Sequence, residues 1–288
     1  MGKCVKTVVL VTNPMKDEGF SHLKTVLKYL VDLGFDIRVP DELAEVTAGI
    51  AESYSDLRKL YKGADCAVLL GGDGTILNAA RYAIAADCPM LGINLGRMGY
   101  MSELEPDEYT LLSRLKDGDY GVEERMTLKV EIENNGTRTC VCRNALNDAV
   151  ITHATGLHVI DVMLYCDSSP VLGYRGNGII IATPTGSTAY GMAAGGPVLD
   201  PVLRCINIVP ICSVSPAAKP LVFSGENVMT VRNDYSREKF VLLNIDGRKT
   251  VHLPYGAKVI CTGAKKKAKL IKLKEDNKFF SVLRAKIT

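Results

Sequence analysis

The first third of the chain alternates short apolar runs with longer segments whose apolar residues recur at helical spacing. The apolar runs cover residues 7–11, 35–39, 66–70 and 90–94, and the helical segments cover 21–33, 76–86 and 106–116. Continuous apolar runs are typical of parallel strands buried on both faces, and strand–helix alternation predicts a doubly wound sheet. Residues 1–118 are therefore predicted to form a Rossmann-like α/β domain.

The pattern changes at Asp117-Gly118-Asp119, after which apolar and polar positions alternate with a period of two. Segments with this period cover residues 128–132, 159–165, 228–231, 240–245 and 258–261, and turn residues separate them. A period of two is typical of strands with one buried face, as in antiparallel sheets. Residues 119–264 are therefore predicted to form a β-rich domain, an antiparallel sandwich.

Composition narrows the functional classes. Lys and Arg number 35 against 32 Asp and Glu, and this net charge of +3 is too weak to indicate a nucleic-acid partner. No apolar run approaches the roughly 20 residues of a membrane helix, and the N-terminus has no apolar signal-peptide core. Nine cysteines without paired spacing favour neither a disulfide framework nor a metal site. We therefore expect a cytoplasmic protein with no membrane partner and no bound metal of its own.

The sharpest local signal is Gly71-Gly72-Asp73-Gly74-Thr75, directly after a buried strand. Glycines let backbone N–H groups approach a bulky anion, and the helix that follows adds its positive end. The spacing is neither that of a Walker A loop nor Gly-x-Gly-x-x-Gly. Asp73 is unusual in a phosphate loop, where it could accept a proton from an attacking hydroxyl or hold Mg²⁺. The alternative is a structural aspartate that caps the helix or the turn.

Two further segments are rich in polar groups. Thr183-Pro184-Thr185-Gly186-Ser187-Thr188-Ala189-Tyr190 follows an apolar run, and its hydroxyls and amides could bind ribose or phosphate. A turn with Ser and Thr caps explains this composition equally well. Asn147-Asp148 interrupts an apolar strand, where Asn suits an adenine edge and Asp suits a ribose diol. A β-bulge or a turn is the alternative there.

Together these segments resemble the NAD kinase family over nearly the whole chain. The matching segments are Asn13-Pro14, Gly71 to Thr75, Gly92-Ile93-Asn94-Leu95-Gly96, Gly99-Tyr100-Met101-Ser102-Glu103, Asn147-Asp148, Thr183 to Tyr190, and Phe280-Ser281-Val282-Leu283-Arg284. The glycine loop is moderately specific, because lipid kinases and phosphofructokinases have similar loops. The segment from Thr183 to Tyr190 is much more specific to NAD kinases.

The resemblance implies transfer of the ATP γ-phosphoryl group to the 2′-hydroxyl of the adenosine ribose of NAD, with Mg²⁺ accompanying ATP. It implies that residues 265–288 return to the first domain, and that the chain forms a homodimer or homotetramer. Asp73 is the implied proton acceptor, and the phosphate loop comprises Gly71, Gly72, Gly74 and Thr75. The implied NAD-binding residues are Asp73, Gly74, Asn147, Asp148, His158, Arg175, Asn177, Thr188, Ala189, Tyr190, Gly191, Met192 and Ala193.

This sequence departs from the family pattern at Asn177, where the family generally carries Asp. Two alternative functions remain open on the sequence. A diacylglycerol-type lipid kinase would share the glycine loop, but the chain has no amphipathic basic helix that would face a membrane. A non-catalytic NAD(H) sensor would keep Asn147, Asp148 and Tyr190 but would not need Asp73.

Overall fold

The computed structural model describes residues 2–96, 99–154, 158–215, 218–274 and 278–287. The chain divides into two compact units, one comprising residues 1–124 and 268–288 and the other residues 125–267. In the described part of the chain, no helix combines the length and the apolar character needed to cross a membrane.

The first unit opens with alternating strands and helices. They are β1 (Thr7–Thr12), α1 (Ser21–Asp32), β2 (Asp36–Pro40), β3 (Glu52–Tyr54), α2 (Leu57–Tyr61), β4 (Cys66–Gly71), α3 (Asp73–Ala86), β5 (Met90–Asn94), α4 (Ser113–Asp117) and β6 (Gly121–Arg125). Strands β1 to β5 pair in parallel in the order β3-β2-β1-β4-β5. Every residue of β4 and of β5 is buried, as their apolar runs predict.

Two predicted helices differ from those observed. The predicted helix 76–86 begins three residues earlier, at Asp73, because the extended Gly72 leads directly into its first turn. The predicted helix 106–116 is instead a 3-10 turn, Tyr109–Leu112, followed by the short α4. The Glu108 side chain accepts the backbone N–H of Glu105, and such local bonds compete with a helix at this point.

The second unit is built from antiparallel strands and one short helix. They are β7 (Leu128–Asn134), β8 (Thr137–Ala145), β9 (Asp148–Thr152), β10 (Ile160–Cys166), β11 (Ser169–Gly176), β12 (Gly178–Ala182), α5 (Tyr190–Ala193), β13 (Cys205–Ile211), β14 (Leu221–Ser224), β15 (Met229–Asn233), β16 (Phe240–Ile245), β17 (Lys249–Pro254) and β18 (Lys258–Gly263).

These strands form two six-stranded sheets, in the orders β11-β10-β15-β18-β7-β8 and β14-β13-β12-β9-β16-β17. Side chains from both sheets meet in one hydrophobic core, exemplified by Val162 of β10 and Ile181 of β12. Two antiparallel sheets around a common core form a sandwich. The predicted fold class, an α/β domain followed by an antiparallel β-rich domain, is confirmed.

The last two elements, β19 (Ala268–Lys272) and α6 (Lys278–Ile287), belong to the first unit. Strand β19 lies between β5 and β6 and completes a seven-stranded sheet. The buried Glu103 carboxylate accepts the backbone N–H groups of Leu273 and Lys274, both at 2.9 Å, and also pairs with Lys272. The observed divisions at 124 and 267 differ from the predicted 118 and 264, because β6 joins the first sheet and β19 starts at residue 268.

Candidate active site

The glycine loop connects β4 to α3 in a space too small for a side chain. A Cβ atom built on Gly71 would lie 2.1 Å from the Thr75 hydroxyl oxygen, far inside contact distance. The Gly71 carbonyl accepts the N–H of Leu95 at 2.8 Å, which ties the loop to the end of β5. Gly71 is thus required by packing, and the loop is a rigid part of the sheet edge.

Asp73 occupies the first turn of α3, but its carboxylate does not cap that helix. One carboxylate oxygen accepts the Tyr100 backbone N–H at 2.8 Å, and the other accepts that of Met101 at 3.0 Å. The segment 99–101 therefore holds the carboxylate in place, and each oxygen keeps a lone pair that could accept a further bond. The alternative of a helix-capping aspartate does not fit this geometry.

Gly74 differs from Gly71, because a Cβ atom built on it would meet nothing within 4 Å among the described residues. The backbone N–H groups of Asp73 and Gly74 belong to the first turn of α3, where no intrahelical acceptor exists. Open space beside the N-terminus of a helix, where the first N–H groups lack an intrahelical acceptor, favours an anion.

This contrast predicts different outcomes for two matched substitutions. Gly71→Ala forces its methyl group into Thr75 and should lower the free energy of unfolding by about 1–3 kcal/mol. The methyl group of Gly74→Ala meets no atom of the described residues and replaces a helical glycine, so the free energy of unfolding should be unchanged or rise by roughly 0.4–1 kcal/mol. Phosphoryl transfer, the activity that the resemblance implies, should nevertheless fall in Gly74→Ala, because the methyl group would occupy the open space at the start of the helix. Urea unfolding and initial rates measure the two effects; full activity in Gly74→Ala would show that no ligand uses this space.

The sequence gives no local sign of two other features at this sheet edge. Lys16 lies in the loop after β1, and its Nζ would be 2.7 Å from a Cβ on Gly72 and 3.1 Å from one on Gly96. The hydroxyl oxygens of Thr75 and Ser102 are buried and have no hydrogen-bond partner in the described part of the chain. A cation and unpaired hydroxyls therefore surround the glycine loop.

In the second unit, Asn147 and Asp148 are held by a residue about a hundred positions away. The Asp246 carboxylate accepts the backbone N–H groups of Leu146 at 3.0 Å, Asn147 at 2.8 Å and Asp148 at 3.2 Å. Asp246 lies in the turn after β16 with a φ of 51°, a left-handed conformation that Asp tolerates well. Asp-Gly dipeptides are common in hairpin turns, so the sequence alone does not separate this anchor from an ordinary turn.

The pKa values of Asp148 and Asp246 are both raised. Burial, followed by repulsion from the Asp246 carboxylate, raises the pKa of Asp148 to about 7. Burial also raises the pKa of Asp246, although the three backbone N–H bonds and Arg248 act in the opposite direction. The Asn147 side-chain oxygen is buried and has no hydrogen-bond partner among the described residues. Together with a neighbouring carboxyl group whose pKa is near neutral, it is a candidate for ligand binding.

The segment from Thr183 to Ala193 divides into a structural half and an exposed half. The Thr183 hydroxyl donates to the Leu146 carbonyl at 2.6 Å, and the Ser187 hydroxyl donates to the Pro184 carbonyl at 2.7 Å. A Cβ atom on Gly186 would lie 2.1 Å from the Asn147 carbonyl oxygen, so this half packs directly on the Asn147 backbone. The turn-forming hydroxyls at its start agree with the structural interpretation of the sequence, and ligand binding by the accessible residues after them stays a prediction.

The accessible half comprises residues 188–193. Thr188, Ala189 and Met192 are half-buried, Ala193 is exposed, and Gly191 is buried. Tyr190 at the start of α5 is 44% exposed. A partly exposed tyrosine beside a rigid turn offers a ring face to a ligand.

The remaining predicted residues lie at the opposite end of β9 and β12. Arg175 and Asn177 flank the crossing from β11 to β12, and Arg175 lies 3.7 Å from Asp161. The exposed His158 ring is 4.6 Å from the ring of the buried His153, which follows β9. At about 3.3 Å per residue, Asn177 and Thr183 are about 20 Å apart along the strand. The structure thus packs the segment that begins at Thr183 on the Asn147 backbone and separates Asn147 and Asp148 from His158, Arg175 and Asn177.

Comparison with known proteins decides the family. The family model described as the ATP-NAD kinase N-terminal domain matches residues 8–120, and that of the ATP-NAD kinase C-terminal domain matches residues 146–273. The NAD kinase of Lachnoclostridium phytofermentans is 32% identical over 287 residues, covering 98% of this chain and 99% of that protein. The chain belongs to the NAD kinase family.

Other members of the NAD kinase family agree with this assignment. The NAD kinase of Clostridium perfringens strain 13 is 38% identical over 251 residues, covering 86% of this chain and 87% of that protein. The structure of an NAD kinase from Archaeoglobus fulgidus in complex with ATP has a TM-score of 0.73 and 25% identity, covering 97% of this chain and 99% of that one. The structure of yeast NADH kinase complexed with NADH has a TM-score of 0.89 and 19% identity. This match covers 98% of this chain and 87% of that one, and it supports the fold assignment. The predicted family and enzyme class are confirmed, and the matches favour NAD kinase over a diacylglycerol-type lipid kinase.

Proposed function

We propose that the chain transfers the γ-phosphoryl group of ATP to the 2′-hydroxyl of the adenosine ribose of NAD, with Asp73 as proton acceptor. Membership of the NAD kinase family supports ATP-dependent phosphorylation of NAD. The main structural support for Asp73 as proton acceptor is that two backbone N–H groups hold its carboxylate in place. A non-catalytic NAD(H) sensor would not require a carboxylate fixed in this way.

In the proposed reaction the ribose 2′-oxygen forms a bond to the γ-phosphorus while the bond from that phosphorus to ADP breaks. The hydroxyl donates a hydrogen bond to Asp73, which takes its proton as the phosphoryl group transfers. The transition state of phosphoryl transfer is loose, so positioning and charge stabilisation supply most of the rate enhancement. The N–H groups of Asp73 and Gly74, which have no intrahelical acceptor in the first turn of α3, would stabilise the negative charge on the phosphate.

Mg²⁺ enters this proposal as part of the Mg·ATP substrate. In the described residues, no cluster of three His, Cys, Asp or Glu side chains could hold a metal ion. Magnesium in phosphoryl-transfer sites is commonly held by substrate phosphates with one or two carboxylates. Such a site does not need a cluster of three protein ligands. The metal would neutralise charge on the phosphates during transfer.

We propose that Asn147 and Asp148 contact the adenosine of NAD. The loop that wraps the dinucleotide is proposed to comprise Thr188, Ala189, Tyr190, Gly191, Met192 and Ala193. His158, Arg175 and Asn177 are proposed as further NAD contacts. Their position at the opposite end of β12 is compatible with an extended dinucleotide or with an NAD bound by a second copy of the chain. A homodimer or homotetramer is part of the proposal, and light scattering of the purified protein would measure it.

We place the protein in the cytoplasm. All nine cysteines are free thiols, including exposed Cys4, Cys140 and Cys212. Free exposed thiols are typical of proteins in a reducing compartment.

The direct test is incubation of the purified protein with NAD, ATP and Mg²⁺, followed by measurement of NADP. We expect NADP formation that depends on all three components. A parallel incubation with diacylglycerol vesicles in place of NAD should give no phosphorylated lipid. NAD binding without any NADP would instead favour the sensor, and phosphorylated lipid without NADP would favour the lipid kinase.

The pKa of Asp148 predicts a pH dependence of stability. Its pKa is about 7 in the folded chain, against roughly 3.9 in an unfolded chain, so the native state binds the additional proton between these values. The stabilisation is complete below pH 4 and is lost as the pH rises through 7, at a cost on the order of 2 kcal/mol or more. We expect Asp148→Asn to lose most of this slope between pH 5 and pH 8 in urea unfolding. An unchanged slope would assign the titration to another group.

A further inference from the structure

The segment 99–103 holds the Asp73 carboxylate, and it is itself fixed at its far end. A Cβ atom built on Gly99 would overlap the Asp73 carboxylate, so glycine lets the backbone approach it this closely. At the far end, the Glu103 N–H donates to the Gly92 carbonyl of β5 at 2.9 Å. Between these points, the position of the two N–H groups that bind Asp73 depends on contacts with other parts of the chain.

The last strand of the sheet provides one of these contacts. Glu103 is 2% exposed, and its two carboxylate oxygens have different partners. One oxygen accepts the N–H groups of Leu273 and Lys274, both at 2.9 Å, and the other pairs with Lys272 at the end of β19. A buried carboxylate is costly unless it is paired and hydrogen-bonded, so these bonds tie the segment 99–103 to β19.

The last helix provides a second contact. Phe279 lies in the first turn of α6 and is 7% exposed. Its ring centroid is 5.8 Å from that of Tyr100, with the ring planes at 46°, which is in the range of favourable aromatic pairs. Burial, followed by repulsion from the Asp73 carboxylate, raises the pKa of Tyr100, as expected of a ring near that carboxylate. Tyr100 therefore contacts Phe279 through its ring and Asp73 through its backbone N–H.

The position of the Asp73 carboxylate decides whether it can take a proton. The Asp73 backbone is fixed in the first turn of α3, whereas its carboxylate is oriented by the N–H groups of Tyr100 and Met101. A general base has to lie within hydrogen-bond reach of the proton that it takes. Misplacement by about 1 Å, even from a change far from the reacting atoms, can cost up to roughly 10²-fold in rate. Contacts that hold the segment 99–103 should therefore affect the chemical step.

We propose that Glu103 and Phe279 are positioning residues for phosphoryl transfer, which hold the segment 99–103 and through it the Asp73 carboxylate. The proposal rests on the proposed function, in which Asp73 takes the proton of the ribose hydroxyl. Because both residues act through the backbone of this segment, they affect turnover more than the binding of NAD or ATP. The last strand and helix thus contribute to the reaction, although they follow the whole second unit in the sequence.

Phe279→Leu tests the aromatic contact, because leucine keeps an apolar side chain but removes the ring that packs on Tyr100. The matched control is Phe35→Leu, in the same unit and with the same 7% exposure. Phe35 precedes β2 at the amino ends of the parallel strands, whereas Asp73 follows the carboxyl end of β4. We expect Phe279→Leu to lower kcat about tenfold, with the KM for NAD and for ATP within about twofold of the parent. Phe35→Leu should keep kcat within about twofold.

Glu103→Ala and Glu103→Gln test the contact with β19. Both backbone N–H groups donate to the same carboxylate oxygen, so the oxygen of a glutamine can still accept them. The NH₂ group of that glutamine would face Lys272, whose side chain is 27% exposed and can turn toward water. We expect Glu103→Ala to lower kcat about tenfold and Glu103→Gln to restore most of the loss. If Glu103→Ala fails to fold, Phe279→Leu carries the test alone.

Double variants with Asp73→Asn separate positioning from a general structural effect. In the Asp73→Asn background there is no carboxylate to position, so Phe279→Leu should change kcat less than about twofold. Glu103→Ala should show the same dependence on the background. An effect that does not pass through Asp73 would lower kcat by the same factor in both backgrounds.

Amide hydrogen exchange gives a readout that does not depend on activity. Phe279→Leu and Glu103→Ala should speed the exchange of the two N–H groups that bind Asp73 about tenfold relative to the Leu95 N–H, which lies outside the segment 99–103. Phe35→Leu should leave this ratio unchanged. An unchanged ratio in Phe279→Leu would show that α6 does not hold the segment.

NADP formation by the parent and the loss of turnover in Asp73→Asn test the proposed function separately. If both are observed but Phe279→Leu or Glu103→Ala keeps the parent kcat, the positioning proposal is wrong and the proposed function stands. A rise in KM without a loss of kcat, or an equal loss of kcat in the Asp73→Asn background, would also overturn the positioning proposal. If the parent forms no NADP, the proposed function and the positioning proposal are both wrong.

Discussion

Asp73→Asn should reduce turnover about 10²-fold or more, the usual size of a general-base contribution. The amide keeps the shape of the side chain but cannot take the proton of the ribose hydroxyl. The structure adds a second effect, because an amide has only one oxygen for the two N–H groups of Tyr100 and Met101. One of these groups would face an NH₂ group, at a cost of about 1–3 kcal/mol in the free energy of unfolding.

Steady-state kinetics of Asp73→Asn, with NAD binding checked by calorimetry, separate these effects. Loss of a base lowers kcat and leaves NAD affinity within a few-fold, whereas displacement of the segment 99–101 alone would lower stability without a comparable loss of turnover. If turnover stayed within threefold of the parent, Asp73 would have no catalytic role and the loop would be a phosphate cradle only.

Asp246→Ala should destabilise the second unit by about 3 kcal/mol or more, because it leaves three backbone N–H groups without their acceptor. Alanine also fits poorly at the left-handed φ of 51°. NAD affinity should fall with stability, since the lost bonds position Asn147 and Asp148.

Asp167→Ala is a matched control for this change. Asp167 is also a turn aspartate, with a φ of 47°, but it is exposed and accepts one backbone N–H, from Val228. We expect less than half the loss of stability seen for Asp246→Ala, measured by urea unfolding, and unchanged NAD affinity. Equal losses in the two variants would mean that the turn conformation, and not the three hydrogen bonds, makes Asp246 important.

The fold was largely predictable because strands buried on both faces have continuous apolar runs, whereas strands buried on one face alternate apolar and polar residues. Continuous apolar runs such as residues 66–70 and alternating runs such as 240–245 correspond to β4 and β16, within one residue at each end. The segment between β2 and β4 was not predictable in detail: β3 has three residues and α2 has five, too short for any periodicity. For residues 106–116, local bonds of Glu108 prevailed over a helical pattern.

The candidate site was predictable only where its residues are consecutive in the chain. The glycine loop and the segment from Thr183 carry recognisable patterns, but the sequence could not divide the latter into turn-forming Thr183 and exposed Tyr190. The contacts of Asp73 with Tyr100 and of Asp246 with Asn147 span 27 and 99 residues. Hydrogen bonds over such distances leave no local pattern, and neither does the approach of Lys16 to Gly72.

The return of the chain to its first unit has a consequence for synthesis on the ribosome. While the polypeptide is being translated, β5 and β6 exist without the strand that separates them, because β19 is made long after both of them. Until then Glu103 has neither the N–H groups of Leu273 and Lys274 nor the ammonium of Lys272. The β sandwich can therefore complete its hydrogen bonding on the nascent chain, whereas the first unit does so only after residues 268–274 emerge. A premature stop codon between residues 264 and 268 would disable the first unit while sparing every strand of the second.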